Sequence, residues 1–189
     1  MTPGPQPDDV LVLRARAGDR VAFGELVRRH QTAALRVAAA VTGSTEEARD
    51  IVQDAFVQSY RSLDRYRGEA PVRSWLLRIV ANHAKNALRS SARRRGREDR
   101  FAVLDRARAD ADPVSQPIVD RAEVNSLLGM LTALPERDRE VLALRFVAGL
   151  SEADTATTLG VPVGTVKSRA SRALAHAREL LEVRERAHG

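Results

Sequence analysis

The stretch SEADTATTLGVPVGTVKSRASR, from Ser151 to Arg172, decides the fold of this 189-residue chain. A short helical segment, a turn at 160–162 and a longer helical segment follow one another at the spacing of a helix-turn-helix. The second helix has apolar residues on its inward side, at Val163, Val166, Ala170, Leu174, Ala177 and Leu181. This pattern predicts a helix that reads the major groove of DNA, and a helical hairpin with a solvated basic face is the alternative.

The outward side of this helix carries hydroxyl groups near its start and cations beyond them. Hydroxyl groups can bond phosphate oxygens, and an arginine can pair with guanine O6 and N7 through two hydrogen bonds. The residues that we predict to contact duplex DNA are Thr165, Lys167, Ser168, Arg169 and Arg172.

Helical periodicity continues through the whole C-terminal part, residues 119–186. Four helices are predicted there, at 119–132, 135–148, 151–159 and 163–183, with Pro135 and Ser151 at two starts and Gly149 and Gly160 at two ends. Because no useful length of strand-like alternation occurs anywhere in the chain, the predicted fold class is all-α, with two helical domains.

The N-terminal part, residues 8–95, has helical patterns broken at residues 18–19 and 42–44. Ser44 and Glu47 form a capping box, which predicts the start of a helix. One face of that helix is a core stripe of Ala48, Ile51, Val52, Ala55, Phe56 and Ser59. Its other face is polar and suits a partner, with Asp50, Gln53, Asp54, Gln58 and Arg61.

A loop at 64–70 and the helix that follows Pro71 form a second basic region. The helix has a core stripe of Val72, Trp75, Leu76, Ile79, Val80 and His83, and its opposite face stacks Arg78, Asn82, Lys85 and Arg89 at spacings of three and four. With Arg65, Tyr66 and Arg67 of the loop, this face could hold unpaired bases by stacking and by phosphate contacts. A core or hinge aromatic is the alternative role for Tyr66, and Trp75 is predicted to be core.

Composition sets further bounds. Hydrophobic residues make up 43% of the chain and aromatics only 4%, a mixture that favours helices over sheets. The excess of 31 basic over 25 acidic residues suits a polyanionic partner, although general arginine richness would give a similar balance. With no cysteine, four scattered histidines and no catalytic motif, we expect no metal site, no cofactor and no enzyme activity.

The remaining segments are predicted to be connections. We expect residues 1–7 to be a disordered N-terminus, and residues 96–118 to be a flexible acidic linker whose middle could hold a weak helix. No signal peptide and no long apolar run is visible, so we expect a soluble protein of the cytoplasm.

Four motifs, in order, resemble those of the extracytoplasmic-function (ECF) sigma factors of bacterial RNA polymerase. They are AGDRVAFGELVRRH at 17–30, DIVQDAFVQSYRSLDRY at 50–66, PVRSWLLRIVANHAKNALR at 71–89, and LPERDREVLALRFVAGLSEADTATTLGVPVGTVKSRASRALAHAREL at 134–180. The resemblance spans about residues 8–182. It implies sigma region 2 at 8–95 and sigma region 4 at 119–186.

The resemblance also implies partners and roles for the predicted residues. Asp50, Gln53, Asp54 and Gln58 would bind core RNA polymerase, with Phe56 as support from the core. Arg65, Tyr66, Arg67, Arg78, Asn82, Lys85 and Arg89 would melt the −10 element and hold one of its strands. Thr165, Lys167, Ser168, Arg169 and Arg172 would read the −35 element as duplex. The linker would thread towards the RNA path of the polymerase, and an anti-sigma factor is a common partner in the family.

The chain departs from the family at three positions. Thr155 and Thr158 stand where the family usually has large aliphatic residues, which predicts a thinner core for the C-terminal domain, and Asn86 stands where an aspartate is frequent. Two other functions remain open. One is a stand-alone helix-turn-helix regulator with a ligand-binding or dimerisation domain, and the other is a helical interaction module that does not bind DNA.

Overall fold

The computed structural model describes residues 6–98 and 128–188, and every regular element within these ranges is helical. The N-terminal unit contains α1 (Asp8–Arg16), α2 (Arg20–Thr42), α3 (Thr45–Arg61), a 3-10 turn (Leu63–Arg65) and α4 (Val72–Glu98). The C-terminal unit contains α5 (128–132), α6 (Glu136–Leu142) with a π-helical turn (Ala143–Val147), α7 (Glu152–Leu159) and α8 (Val163–His188). The all-α fold class is therefore confirmed for the described residues.

The boundaries differ from the predicted ones in a few places. Pro71 and Pro135 stand one residue before their helices and accept the first backbone hydrogen bonds there. Helix α4 continues to Glu98, so the first three residues of the predicted linker are helical. The rest of the linker, residues 99–118, lies outside the described residues, as do residues 1–5 of the predicted disordered N-terminus.

The predicted helix breaks of the N-terminal unit are confirmed, with a physical cause at each. Asp19 caps α2 by accepting hydrogen bonds from the amides of Val21 (2.9 Å) and Ala22 (3.1 Å). The Ala22 hydrogen bond is the main cause that lowers the pKa of the Asp19 carboxyl. Gly43 ends α2 in the left-handed conformation, with φ of 79°.

Only half of the predicted capping box forms at the start of α3. The Ser44 hydroxyl accepts a hydrogen bond from the Glu47 amide at 3.1 Å, as predicted. The Ser44 amide, however, donates to the hydroxyl of Thr42 at 3.3 Å, a partner that takes the place of the Glu47 carboxylate. The cap therefore depends on the serine alone for the amides of the first turn.

The core of the N-terminal unit lies among α2, α3 and α4. All six predicted core residues of α3 are buried, and its predicted polar face is exposed. Helix α4 buries Val72, Leu76 and Val80 as predicted, but it also buries Ser74, Leu77, Ala81 and Ala84. This second strip was missed because α4 is covered on two sides, by α2 and α3 and by α7 of the C-terminal unit.

The C-terminal unit has its own core around the helix-turn-helix. Val141, Ala156 and Val166 form one cluster, and Leu134, Leu142 and Ala173 form a second. The predicted inward stripe of α8 is wrong at its two ends, because Val163 is 40% and Leu181 is 41% exposed. Leu180 packs there instead, since Leu131 and Leu134 lie on its side of the helix.

The two units share one hydrophobic cluster. Ala143, Leu144, Ala148 and Leu150 of the C-terminal unit are buried in the same cluster as the core of α1–α4. Within residues 6–98 and 128–188, no helix is long and apolar enough to cross a bilayer.

Candidate nucleic-acid and polymerase interfaces

Helix α8 presents the predicted duplex-contacting residues at the surface. A Schellman-type end precedes it: the Val161 amide donates to the Ala156 carbonyl at 3.0 Å, and Gly160 has φ of 65°. This fixes the sharp turn between α7 and α8. Lys167, Ser168 and Arg172 are exposed, and Thr165 and Arg169 are half-buried at the same face.

Two cations of this face meet acids of their own unit. Lys167 Nζ lies 3.5 Å from Glu152 Oε2, and Arg172 Nη2 lies 3.7 Å from Asp138 Oδ1. The Lys167–Glu152 pair is exposed on both sides and contributes little to stability, whereas the Asp138 side chain is only 14% exposed. Lys167 can therefore exchange its carboxylate for a phosphate oxygen at little cost.

The basic face of α4 is only partly open. Arg78 and Asn82 are exposed. Lys85 Nζ lies 2.9 Å from Glu140 Oε1, and Arg89 Nη2 lies 3.2 Å from Glu136 Oε1. The acids of α6 were missed in the sequence, although the four-residue spacing of Glu136 and Glu140 matches that of Lys85 and Arg89.

The loop before α4 places its aromatic residue inside the fold. Tyr66 is 8% exposed, its hydroxyl donates to the Ala70 carbonyl at 2.7 Å, and its ring centre lies 5.4 Å from that of Trp75. Burial is the main cause that raises the pKa of the Tyr66 hydroxyl. This placement fits the alternative role of a core aromatic, and stacking on a base would require the loop to open. Arg65 and Arg67 are exposed.

The exposed face of α3 borders an apolar groove that sequence reasoning did not find. Asp50, Gln53, Asp54 and Gln58 are all exposed on this helix. Beside them, α2 and α3 enclose a shallow groove of about 710 Å³. Its lining includes Phe23, Phe56, Val57 and Tyr60, with Arg20, Arg49 and Arg61 also present. Phe23 is part of the groove lining that α2 contributes, and its ring centre lies 4.9 Å from that of Tyr60.

Comparison with known proteins gives the family. A family model described as Sigma-70 region 2 matches residues 26–94, and one described as Sigma-70, region 4 matches residues 125–176. The ECF RNA polymerase sigma-E factor of Haemophilus influenzae is 35% identical over 183 residues, which cover 93% of each chain. This chain belongs to the ECF sigma factors. It is an alternative sigma factor that binds core RNA polymerase and directs transcription initiation at promoter DNA.

Other relatives agree with this assignment. The RNA polymerase sigma-H factor of Pseudomonas aeruginosa is 36% identical over 89% of this sigma factor and 90% of its own length. The ECF sigma factor SigM of Mycobacterium tuberculosis is 38% identical over 87% and 80%, respectively. The stand-alone regulator is not favoured, because the region 2 match covers most of the N-terminal unit.

Solved structures support the same fold. CnrH, solved in complex with the cytosolic domain of CnrY, superposes with a TM-score of 0.73 and 29% identity, over 93% of this sigma factor and 97% of that chain. The sigma factor RpoE, solved with the anti-sigma factor NepR from Bartonella quintana, gives a TM-score of 0.65 and 28% identity, over 85% and 97%.

Proposed function

We propose that this sigma factor divides promoter recognition among three surfaces. The face of α3 with Asp50, Gln53, Asp54 and Gln58 binds core polymerase. The loop residues Arg65 and Arg67 and the α4 residues Arg78, Asn82, Lys85 and Arg89 hold a single strand of the −10 element, and Tyr66 joins them when the loop opens. Thr165, Lys167, Ser168, Arg169 and Arg172 of α8 read the −35 duplex. The ordered matches to region 2 and region 4 in one chain are the observation that carries this proposal.

The polymerase surface is supported by its mixed chemistry. Exposed acids and amides of α3 lie beside an apolar groove, and Gln53 belongs to both. An exposed apolar patch with a polar rim is typical of a protein-binding surface. The groove would supply buried apolar area, and Asp50 and Asp54 would set the orientation of the partner.

The strand-binding surface is supported by exposed cations and by the position of α4. Arg65, Arg67 and Arg78 are exposed, and Asn82 follows Arg78 after one helical turn. Cations in such a row can track a phosphate backbone. Lys85 and Arg89 would extend the row once their carboxylate partners leave.

The duplex-reading surface is supported by the helix-turn-helix geometry. The tight turn after α7 sets α8 at the edge of the unit, with its polar N-terminal half exposed. Each DNA surface binds weakly, and both act together because the polymerase holds them at one separation.

Run-off transcription with reconstituted holoenzyme tests the proposal. Wild-type chain should give core polymerase specific initiation at its promoter, and Asp54→Arg should reduce both polymerase binding and transcript yield. Because Asp54 is exposed, we expect the unfolding free energy of this variant to differ from that of the wild type by less than about 0.5 kcal/mol. Glu179→Arg, the same charge change at an exposed position of α8 outside the three surfaces, is the control and should transcribe as the wild type does. Equal losses from both variants would contradict the α3 assignment.

We also propose that this sigma factor is located in the cytoplasm and has an anti-sigma factor as a partner. Both solved relatives were captured with a protein partner, one of them described as an anti-sigma factor. The acidic linker, residues 96–118, would enter the RNA path of the polymerase. Affinity capture of the native chain followed by mass spectrometry should recover polymerase subunits together with an inhibitor protein. Capture of polymerase alone would remove the inhibitor from the proposal.

A further inference from the structure

We propose that Arg16, the last residue of α1, is a positioning residue for recognition of the −10 strand, because it fixes the start of the strand-binding loop, residues 64–70. The inference rests on the proposed function of Arg65 and Arg67 as strand contacts. Arg16 would act on the DNA only through this loop. The region 2 match begins at residue 26, so it does not include α1.

The Arg16 guanidinium reaches the first residue of the loop, which lies 48 positions further along the chain. Its Nη2 donates to the Asp64 carbonyl at 2.9 Å, and its Nε lies 3.7 Å from Asp64 Oδ1. The Asp64 side chain is 86% exposed, so the ion pair adds little, and the bond to the carbonyl is the contact that holds the loop. Because Arg16 ends α1, its charge is also favoured by the partial negative charge of that helix end.

The Asp64 carbonyl has no other hydrogen-bond donor within the described part of the chain. The 3-10 turn at the start of the loop forms two backbone hydrogen bonds, which end on the carbonyls of Ser62 (2.9 Å) and Leu63 (3.1 Å). The next carbonyl, that of Asp64, receives the Arg16 side chain in place of a backbone amide. Loss of Arg16 would therefore leave the end of this turn without its last hydrogen bond.

Helix α1 is itself bound to the core of the N-terminal unit. Asp8 Oδ1 accepts a hydrogen bond from Arg29 Nη1 at 3.0 Å, and Asp8 Oδ2 lies 2.8 Å from His30 Nε2. The apolar face of α1 is buried in the same hydrophobic cluster as Leu63 and Tyr66. The start of the loop therefore rests on a helix whose own position is fixed by α2.

The strand contacts need a loop whose start is fixed. Arg65 and Arg67 directly follow this point and are exposed. Side chains that must be ordered on binding lower the affinity, and a loop that is ordered beforehand avoids this cost. Tyr66 leaves its place beside Trp75 only when the loop opens, and Arg16 would hold the point from which it opens.

The test measures two steps of promoter recognition by reconstituted holoenzyme. Initial binding to the duplex promoter and opening of the −10 element are followed separately, the second through a fluorescent base analogue in the −10 element. Arg16→Gln should leave initial binding unchanged. It should reduce the opening equilibrium about fivefold, which corresponds to about 1 kcal/mol, the usual contribution of one hydrogen bond. Equal losses in the two steps would indicate a general structural role and overturn the proposal.

Arg14→Gln is the matched control. It removes the same charge from an exposed position of α1, where Arg14 pairs with Asp19 instead of the loop, and it should open the −10 element as the wild type does. Arg16→Lys keeps the charge and can donate to the carbonyl, so its opening should lie between those of the wild type and Arg16→Gln. Equal losses in Arg14→Gln and Arg16→Gln would make the effect one of charge alone and overturn the positioning role.

The loop itself can be followed through Trp75, the only tryptophan of the chain. Its ring centre lies 5.4 Å from that of Tyr66. In the full chain without polymerase, acrylamide should quench Trp75 more readily in Arg16→Gln than in the wild type or Arg14→Gln, because a looser loop uncovers the indole. Equal quenching in the three proteins would show that Arg16 does not hold the loop, and would overturn the proposal.

A further variant separates failure of the positioning role from failure of the proposed strand site. If Arg65→Gln/Arg67→Gln opens the −10 element as the wild type does, the loop does not hold the strand, and both the proposed site and the role of Arg16 are overturned. If that double variant opens poorly and Arg16→Gln opens normally, only the role of Arg16 is overturned. More opening in Arg16→Gln than in the wild type would also overturn it, since the contact would then restrain the loop.

Discussion

Helices α4 and α8 each carry several cations on one face. The two faces differ in the acids that they meet. On α8, the acids that meet Lys167 and Arg172 come from the same unit, and both cations are exposed. On α4, the acids that meet Lys85 and Arg89 come from 55 and 47 residues further along the chain. A row of cations at helical spacing therefore does not reveal whether a surface is available. Its availability depends on which distant segment packs against it.

The two faces also differ in what must change before each can bind DNA. The α8 face needs no separation of the units, because the acids that it meets belong to its own unit. The α4 face needs the separation of two packed units before Lys85 can meet a phosphate. In the free chain we therefore expect the duplex-reading surface to be available, while Lys85 of the strand-binding surface is not.

Removal of the arginine that joins the units should have the largest effect on this comparison. Arg139→Met removes the donor from the buried carbonyls of Val41 and Leu134 and from the partly buried carbonyl of Thr132, at about 1–3 kcal/mol for each unsatisfied buried group before relaxation. We expect the free energy of unfolding, measured in urea, to fall by about 3 kcal/mol. Arg137→Met on the exposed side of α6 is the control, with a change below about 0.5 kcal/mol. Equal losses would mean that Arg139 does not join the units.

Removal of cations from α8 should have a smaller and sequence-dependent effect. Arg169→Ala and Arg172→Ala should each weaken promoter binding by about 1–3 kcal/mol at particular −35 positions. The measurement compares holoenzyme affinity across promoters that carry single −35 substitutions. The same loss on every promoter would make these arginines phosphate contacts.

Replacement of a buried hydroxyl of α7 should have the smallest effect, in the opposite direction. Thr155→Val keeps the shape and removes a buried hydroxyl without a partner, so we expect a gain of about 1 kcal/mol in unfolding free energy. Thr157→Val, at an exposed position of the same helix, is the control and should not stabilise the chain. A loss of stability in Thr155→Val would show that its hydroxyl has a partner in solution.

Much of the fold could be predicted because it depends on local chemistry. The buried and exposed faces of α3, the left-handed Gly43 and Gly160, and the cap at Ser44 follow from helical periodicity and from backbone preferences. The predicted DNA-contacting residues of α8 are at its surface for the same reason. Asp50 and Gln53 were found as an exposed polar pair, but the apolar groove beside them was not, because Phe23 comes from another helix.

The sequence by itself determined the all-α class, the helix-turn-helix and the row of cations on α4, because each depends on spacings of a few residues along one helix. Only the tertiary structure decided that Tyr66 lies in the core, that α4 is covered on two sides, and that Glu136 and Glu140 meet Arg89 and Lys85. The physical reason is that burial and ion pairing depend on neighbours in space. Those neighbours are set by the packing of units that lie far apart in the chain.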